Sequence, residues 1–347
     1  MISGRLTLSG FALRLRSTAS SASVRRNSAK HHEAARVSGA LFALVVAASS
    51  ACYCGPVYAQ TPLTISYQPA IGSAHLFVAQ KEGFFKKHDI DVKLQPGGSN
   101  QEIASVVAGS ANVGTPTMVQ ALQAIENGLN LIVVSGANPL KGGAAGLAFG
   151  PVVARKGVTI ANVGDFAGKK IGVNSLYGFL HILFVKMLTD NGVDPKSVSF
   201  VEVQLPQMAD ALRSGTIDAV IPVEPITSRI LGANVGHVVG DIAKNAPEGL
   251  PLLVHVMRAD WAAKNRPVVE KFRAALAEAS DFAAKNPEKV RAYAAEVLKL
   301  PPQLLVKVPV PVFEPNIEPA AAAQWVPILK QQQQLKTDLD MGKILWR

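Results

Sequence analysis

From Leu63 onward, short β-rich runs alternate with stretches whose apolar residues recur at helical spacing. Leu63–Tyr67, Asp91–Gln95, Asn112–Thr115 and Leu129–Ser135 read as strands. Between them, Ala74–Lys87 places Phe77, Val78, Phe84 and Phe85 on one helical face. Gln101–Gly109 carries Ile103, Val106 and Val107 at the same period, and Thr117–Asn127 aligns Met118, Leu122 and Ile125. Alternation of this kind predicts a parallel sheet covered by helices. A Gly-rich break at Gly142–Gly146 interrupts it, and a second alternating unit follows. Its strands are predicted at Lys170–Asn174, Val198–Val203 and Ile217–Val223, and its helices at Tyr177–Asp190, Gln207–Ser214 and Ile226–Leu231. Tyr177–Asp190 has the strongest amphipathic spacing, with Leu180, Leu183, Phe184, Met187 and Leu188 on one face. Leu252–Arg258 reads as a strand leading back to the first unit. Pro267–Lys285 and Pro287–Lys299 read as helices opened by proline at the first turn. Val306–Phe313 reads as an extended connection and Gln331–Gln334 as part of a solvated helix.

The formal charge of +10 is unevenly spread. Residues 1–59 hold seven Lys/Arg and a single acid, Glu33, which leaves 28 basic and 24 acidic residues beyond them. That remainder has no basic cluster with interleaved aromatics, which argues against a nucleic-acid partner. Arg25, Arg26, Lys30 and Arg36 precede a short apolar run, Gly39–Ala48, and the small-x-small pattern Val57-Tyr58-Ala59. Basic, apolar and cleavage segments in this order predict a signal peptide over 1–59 and a periplasmic, monomeric mature protein. Both cysteines, Cys52 and Cys54, fall inside that leader, so the mature chain is expected to have no disulfide. Lipid attachment at Cys52 is the alternative, disfavoured because Ser49-Ser50-Ala51 precedes it.

In open parallel sheets, ligands sit outside the carboxyl ends of the strands, where helices begin. The strand-to-helix junctions here are Gln68–His75, Pro96–Asn100, Thr115–Thr117, Asn174–Gly178 and Glu224-Pro225. Their Gly, Ser, Thr and Asn content suits close approach of backbone N–H donors to a small polar solute. Each also has a plainer reading. Ser99 with Glu102 fits a capping box, and Thr115 before Pro116 fits an N-cap followed by proline. His75 suits a structural place on a first helical turn, and His181 and His255 sit within apolar patterns. The chain lacks a G-x-S-x-G elbow, H-E-x-x-H, a Walker loop and paired Cys/His metal spacing. The expectation is therefore a binding protein without cofactor or metal.

Several segments resemble type II periplasmic binding proteins of the nitrate/sulfonate/taurine-like family, with the thiamine-pyrimidine-precursor binders as a neighbouring branch. They are Ile65-Ser66-Tyr67-Gln68-Pro69, Phe77–Phe85 leading into Asp91-Val92, Ala108–Gly114, and Leu212–Ala219 ahead of Glu224-Pro225. The resemblance implies an α/β clamshell: two doubly wound lobes joined by two crossover strands. Lobe I would comprise 61–142 plus 250–347, and lobe II 143–249. It further implies ligand contacts at Gln68, Ser73, His75, Gly98, Ser99, Thr115, Asn174, Tyr177 and Glu224. The implied role is capture of a small polar or anionic solute, of sulfonate, carboxylate or nitrate type, for an ABC permease and ATPase complex. A lyase or synthase on the same scaffold, and a solute sensor serving a receptor, are the rival roles. The Asn-Thr-Asn-His run and cysteine-rich motif of the pyrimidine-precursor binders and synthases are missing. Val223 stands where many sulfonate-type members carry an aromatic residue.

Overall fold

The computed structural model describes residues 60–98, 101–141 and 149–347. The leader with Cys52, Ser99 and the Gly-rich break at 142–146 lie outside them. Among the described residues, ten strands form two five-stranded mixed sheets. The first contains β1 (Thr61–Tyr67), β2 (Ile90–Pro96), β3 (Val113–Thr115), β4 (Leu131–Pro139) and β10 (Pro251–Arg258) in the order β2-β1-β3-β10-β4. The second contains β5 (Pro151–Arg155), β6 (Lys170–Val173), β7 (Ser199–Glu202), β8 (Ala219–Val220) and β9 (Gly236–Asp241) in the order β7-β6-β8-β5-β9. The three strands at the β2 or β7 side of each sheet run parallel. The fourth strand in each order, β10 or β5, runs antiparallel to both neighbours. That inserted strand is the one arriving from the other sheet, so both sheets share one connectivity. The two crossovers are stitched together: Leu140 N donates to the Leu250 carbonyl and Gly249 N to the Leu140 carbonyl, each at 2.7 Å.

The strand–helix order follows the sequence pattern, and the departures have local causes. The helix predicted over Ala74–Lys87 stops at Lys81 and restarts as Phe84–Lys87, because Gly83 adopts φ 76° between them. L-residues with a Cβ resist that left-handed conformation, which glycine accepts. β5 and β9 were not predicted: β5 is short and follows the Gly-rich break, and β9 is only partly buried. β8 is two residues, shorter than the predicted Ile217–Val223.

The helix Phe179–Asp190 is buried almost all round, from Phe179 to Phe184 and again at Met187 and Leu188. Its expected solvent face is covered by the C-terminal helix Trp325–Gln331, where Gln332 Nε2 donates to the Ile182 carbonyl at 2.9 Å. Trp325, fully buried, anchors that segment by donating from Nε1 to the Pro251 carbonyl at 2.7 Å. The C-terminal stretch therefore touches both sheets' layers, although its sequence was assigned to the first alone. Gln332 and Gln334 are half-buried bridging residues here, not a purely solvated face.

The extended segment ahead of it lies along β4. Gly136 N donates to the Pro315 carbonyl and Glu314 N to the Ala137 carbonyl. A Cβ on Gly136 would sit 2.4 Å from the Glu314 carbonyl oxygen, so only glycine permits this approach. One face of the first sheet is layered by the helices Ala74–Lys81, Arg266–Lys285 and Pro287–Leu298. Their core contains Phe77, Phe85, Phe272 and Leu276.

Candidate functional site

The carboxyl ends of β1, β3 and β6 converge on a small, largely filled chamber. The first sheet and its helices supply Gln68, Glu102, Thr115, Thr117, Gln120 and Leu253; the second supplies Asn174, Ser175, Gly178 and Phe179. Gln68 also borders a larger chamber, again walled from both sheets. Gly97, Gly98, Leu298 and Leu300 stand on one side of it, and Leu205, Glu224, Ile226 and Arg229 on the other. Gln68 is shared by the two spaces, of which the smaller, inner one has mainly polar walls and the larger, outer one mainly apolar walls.

Of the predicted contacts, Gln68, Thr115 and Asn174 border the inner chamber, and Gln68, Gly98 and Glu224 the outer one. Ser99 lies outside the described residues. Ser73 lies behind the loop, where its hydroxyl donates to the Gln68 carbonyl at 2.9 Å and holds that turn. His75 is buried in the first sheet's core, 2.8 Å from His255 through their Nε2 atoms, and borders neither chamber. Tyr177 is about half exposed, with φ 61°, and its ring packs edge-on against His181 rather than lining the cleft. His181 Nδ1 accepts from the Tyr177 backbone N–H, and burial lowers the His181 pKa to about 4. Thr115 does not cap a helix. It ends β3, while Thr117 is the N-cap of the helix Met118–Glu126, in a reciprocal capping box with Gln120.

Glu102, which the junction reading did not name as a contact, also lines the inner chamber. It is 3% exposed, and burial raises its pKa to about 7, opposed by its own backbone amide. Among the described residues no ion pair and no second side chain meets its carboxyl. The helix Gln101–Val107 is rolled relative to its expected stripe: Glu102 and Val106, one turn apart, face inward, and Val107 is exposed. The roll is possible because Gly114 of β3 lets the helix backbone sit directly on the sheet. A Cβ there would lie 2.8 Å from the Glu102 carbonyl oxygen. The usable signal in the sequence was an acidic residue four positions before the apolar Val106.

Glu224 is a second buried carboxyl, but a satisfied one. It accepts from Ser228 N at 3.2 Å and Ser228 Oγ at 3.0 Å, and these bonds oppose the rise in its pKa that burial causes. Arg229 is the cation of the outer chamber, exposed and in no ion pair among the described residues. From the second sheet, Gly178 caps the helix Phe179–Asp190 without a side-chain bond. The first-turn N–H groups of such a helix have no partners within it and favour acceptor atoms.

Two matched sheets, doubly connected and enclosing a cleft at their strand ends, define the periplasmic binding protein fold. The same architecture occurs in the periplasmic aliphatic sulphonate binding protein SsuA of Escherichia coli (TM-score 0.70, 17% identity, 82% of this chain and 97% of that one). It occurs also in the periplasmic nitrate-binding protein NrtA of Synechocystis (TM-score 0.70, 14% identity, 82% and 84%). The profile of the NMT1/THI5 like family matches residues 71–290, and the chain belongs to that family. Its curated relatives include a Haemophilus influenzae protein provisionally named for thiamine biosynthesis, 28% identical over 48% of this chain and 51% of the relative. Another is the Saccharomyces cerevisiae 4-amino-5-hydroxymethyl-2-methylpyrimidine phosphate synthase THI13, 25% identical over 65% of this chain and 67% of that one. The chain thus spans about half the length of the first of these. The missing Asn-Thr-Asn-His run does not set it outside the family that holds this synthase. Among the described residues no helix is long and apolar enough to cross a membrane.

Proposed function

We propose that this chain is the solute-capturing component of an ABC import system, working in the periplasm and delivering its cargo to a membrane permease and ATPase. The observation that carries the reading is a cleft whose polar inner wall is built jointly from Gln68, Glu102 and Thr115 of one sheet and Asn174 and Ser175 of the other. A solute bridging both walls favours the closed arrangement by its differential affinity for it. With two backbone crossovers as the connection, one following β4 and one following β9, the halves act as lobes that hinge about them.

The cleft also suggests the kind of solute. The ionisable group of the inner chamber is a buried carboxyl without a cation beside it, which disfavours a sulfonate, carboxylate or nitrate head at that end. A head bearing N–H donors meets Glu102 with a charge-assisted hydrogen bond when the carboxyl is ionised. The outer chamber, walled by Leu205, Ile226, Leu298 and Leu300, then takes an apolar or ring-shaped body. One observation favours an anion instead: Arg229 in the outer chamber has no carboxylate partner among the described residues. Kinship with a synthase supports the rival enzymatic role, which a turnover assay on the bound solute separates from capture.

The test is native mass spectrometry of the full chain as purified, then thermal shift with benzamidine, benzylamine, benzenesulfonate, benzoate and nitrate. The expected result is a Tm rise with the donor-headed probes. A ligand at a hundred times its Kd adds about 2.7 kcal/mol. A rise with the anions alone, abolished by Arg229→Ala, replaces the donor reading with the anionic one. No co-purified solute and no shift with any probe ends the capture proposal.

A further inference from the structure

The second sheet's share of the inner chamber comes from one short stretch of chain. Asn174 and Ser175 follow the end of β6, and Gly178 and Phe179 open the helix Phe179–Asp190. The tip between them, Leu176-Tyr177, does not line the chamber. Whatever fixes the shape of this turn therefore fixes one wall of the cleft.

The turn is closed by Gly178 N, which donates to the Ser175 carbonyl at 3.3 Å. Its third residue, Tyr177, sits at φ 61°. Turns with a left-handed third residue ordinarily take glycine or asparagine there, because a Cβ crowds the backbone in that conformation. A tyrosine held so is strained, and such strain persists only where the surroundings over-determine it.

The holding contact comes from His181. Gly178, the N-cap of the helix, makes no side-chain cap bond. His181, the third residue of the helix, reaches back instead, and its Nδ1 accepts from the Tyr177 N–H at 3.1 Å. This is one half of a capping box, displaced by one residue toward the turn. A backbone N–H can only donate, so Nδ1 is bare. Burial keeps the ring neutral, which leaves its proton on Nε2. The ring is itself fixed in place. It is 7% exposed, with its centroid 4.3 Å from that of Phe200 on β7 and 5.5 Å from that of Tyr177, edge-on to both. The neighbouring N–H of Leu176 has a weaker partner, Glu202 Oε2 at 3.5 Å in an exposed position.

We propose that His181 is a positioning residue for solute capture, holding Tyr177 in the left-handed conformation through its N–H and so setting the wall formed by Asn174, Ser175 and Gly178. It acts through the backbone of the turn and does not line the chamber. The role rests on the capture reading above and deepens it. It accounts together for a histidine among the buried apolar residues of this helix, an N-cap without a side-chain bond, and a tyrosine where glycine is ordinary. A glycine at 177 would leave the turn free among several shapes before solute arrives. A fastened tyrosine keeps one shape, and a wall already ordered lowers the entropy lost on binding.

Two measurements on the wild-type chain test the hold directly. Long-range 15N–1H correlation spectra at neutral pH should show His181 protonated at Nε2, and the Tyr177 amide should exchange with solvent more slowly than that of Leu176. His181 protonated at Nδ1, or a Tyr177 amide exchanging as fast as its neighbour, overturns the proposal and needs no variant to fold. Calorimetry then reads affinity for whichever of benzamidine, benzylamine, benzenesulfonate, benzoate and nitrate raises the wild-type Tm most. His181→Phe fills the space without an acceptor and should weaken that probe about tenfold, or about 1.4 kcal/mol. His181→Asn places an oxygen as many bonds from the backbone as Nδ1 and should stay within about threefold of the wild type. Adding Tyr177→Gly to His181→Phe should also restore affinity to within about threefold, because glycine takes the left-handed conformation unaided. A role in core packing alone predicts no such rescue. Wild-type affinity in His181→Phe, or equal losses in the Phe, Asn and double variants, ends the positioning role and leaves capture standing. A wild-type chain that binds none of the probes ends both.

Discussion

The inner and outer chambers each contain a buried carboxyl, and the two differ in what else their surroundings give them. Glu224, in the outer chamber, has its charge already met by the Ser228 amide and hydroxyl. Glu102, in the inner one, meets only its own amide among the described residues. Burial raises both pKa values, so burial does not mark the ligand group. Spare hydrogen-bonding capacity does. On the capture reading proposed above, the carboxyl that meets no other side chain among the described residues is the one a solute would satisfy, and the bonded one holds the start of the helix Ile226–Gly232.

The sharpest way to break this comparison is Glu102→Gln. Glu102 has a folded pKa near 7 against an ordinary value of 4.5. A carboxyl raised in the folded state contributes fully at low pH, and its contribution is lost as pH climbs from about 4.5 to 7. At 1.36 kcal/mol per unit the span is roughly 3 kcal/mol. Urea denaturation at pH 5 and pH 8 should therefore show the variant gaining on the wild type at pH 8 while losing donor-headed ligands. His75, His181 and His255 impose the opposite slope, because their lowered pKa values remove stability as pH falls below 6.5. Both proteins share that slope, so the difference between them isolates Glu102. Equal pH slopes in the two would remove the special standing of the inner carboxyl.

A smaller effect sharpens the apolar side of the comparison. Leu298→Ala with Leu300→Ala should weaken ring-bearing probes by about 1–2 kcal/mol in total, from the apolar area no longer covered. Calorimetric titration of benzamidine and guanidinium against the double variant checks this, and equal losses for both would place the ring elsewhere. The smallest effect is expected for Ser228→Ala. Loss of one hydroxyl donor to Glu224 should cost about 1 kcal/mol of stability and leave the ranking of probes as it was. A changed ranking would make Glu224 a ligand group after all.

Much of this architecture was legible because strands and helices in such sheets bury different periods. Leu63–Tyr67, Thr117–Asn127 and Leu252–Arg258 show it plainly. β5 and β9 were illegible: one is five residues beginning at a proline, and the other has half-wet faces that break alternation. Gln68, Thr115, Asn174 and Glu224, which the junction rule named, border the two chambers, because strand ends locate a cleft whatever its side chains. It also selected Ser73 and His75, which point into the turn and the core, since junction position says nothing about side-chain direction. Glu102 was not named because its helix was oriented by Ile103, Val106 and Val107, and the backbone contact at Gly114 that rolls it inward is a tertiary event.

The C-terminal segment brings a mechanical consequence. Trp325 is nailed to the backbone of β10, while Gln332, seven residues on, is bonded to the helix Phe179–Asp190 of the opposite half. A chain fastened at both places works as a tether. Under the hinged capture proposed above, the halves could swing apart only as far as that short span allows before the Gln332 bond parts, so the gape would be set by the tail of the polypeptide as well as by its crossovers.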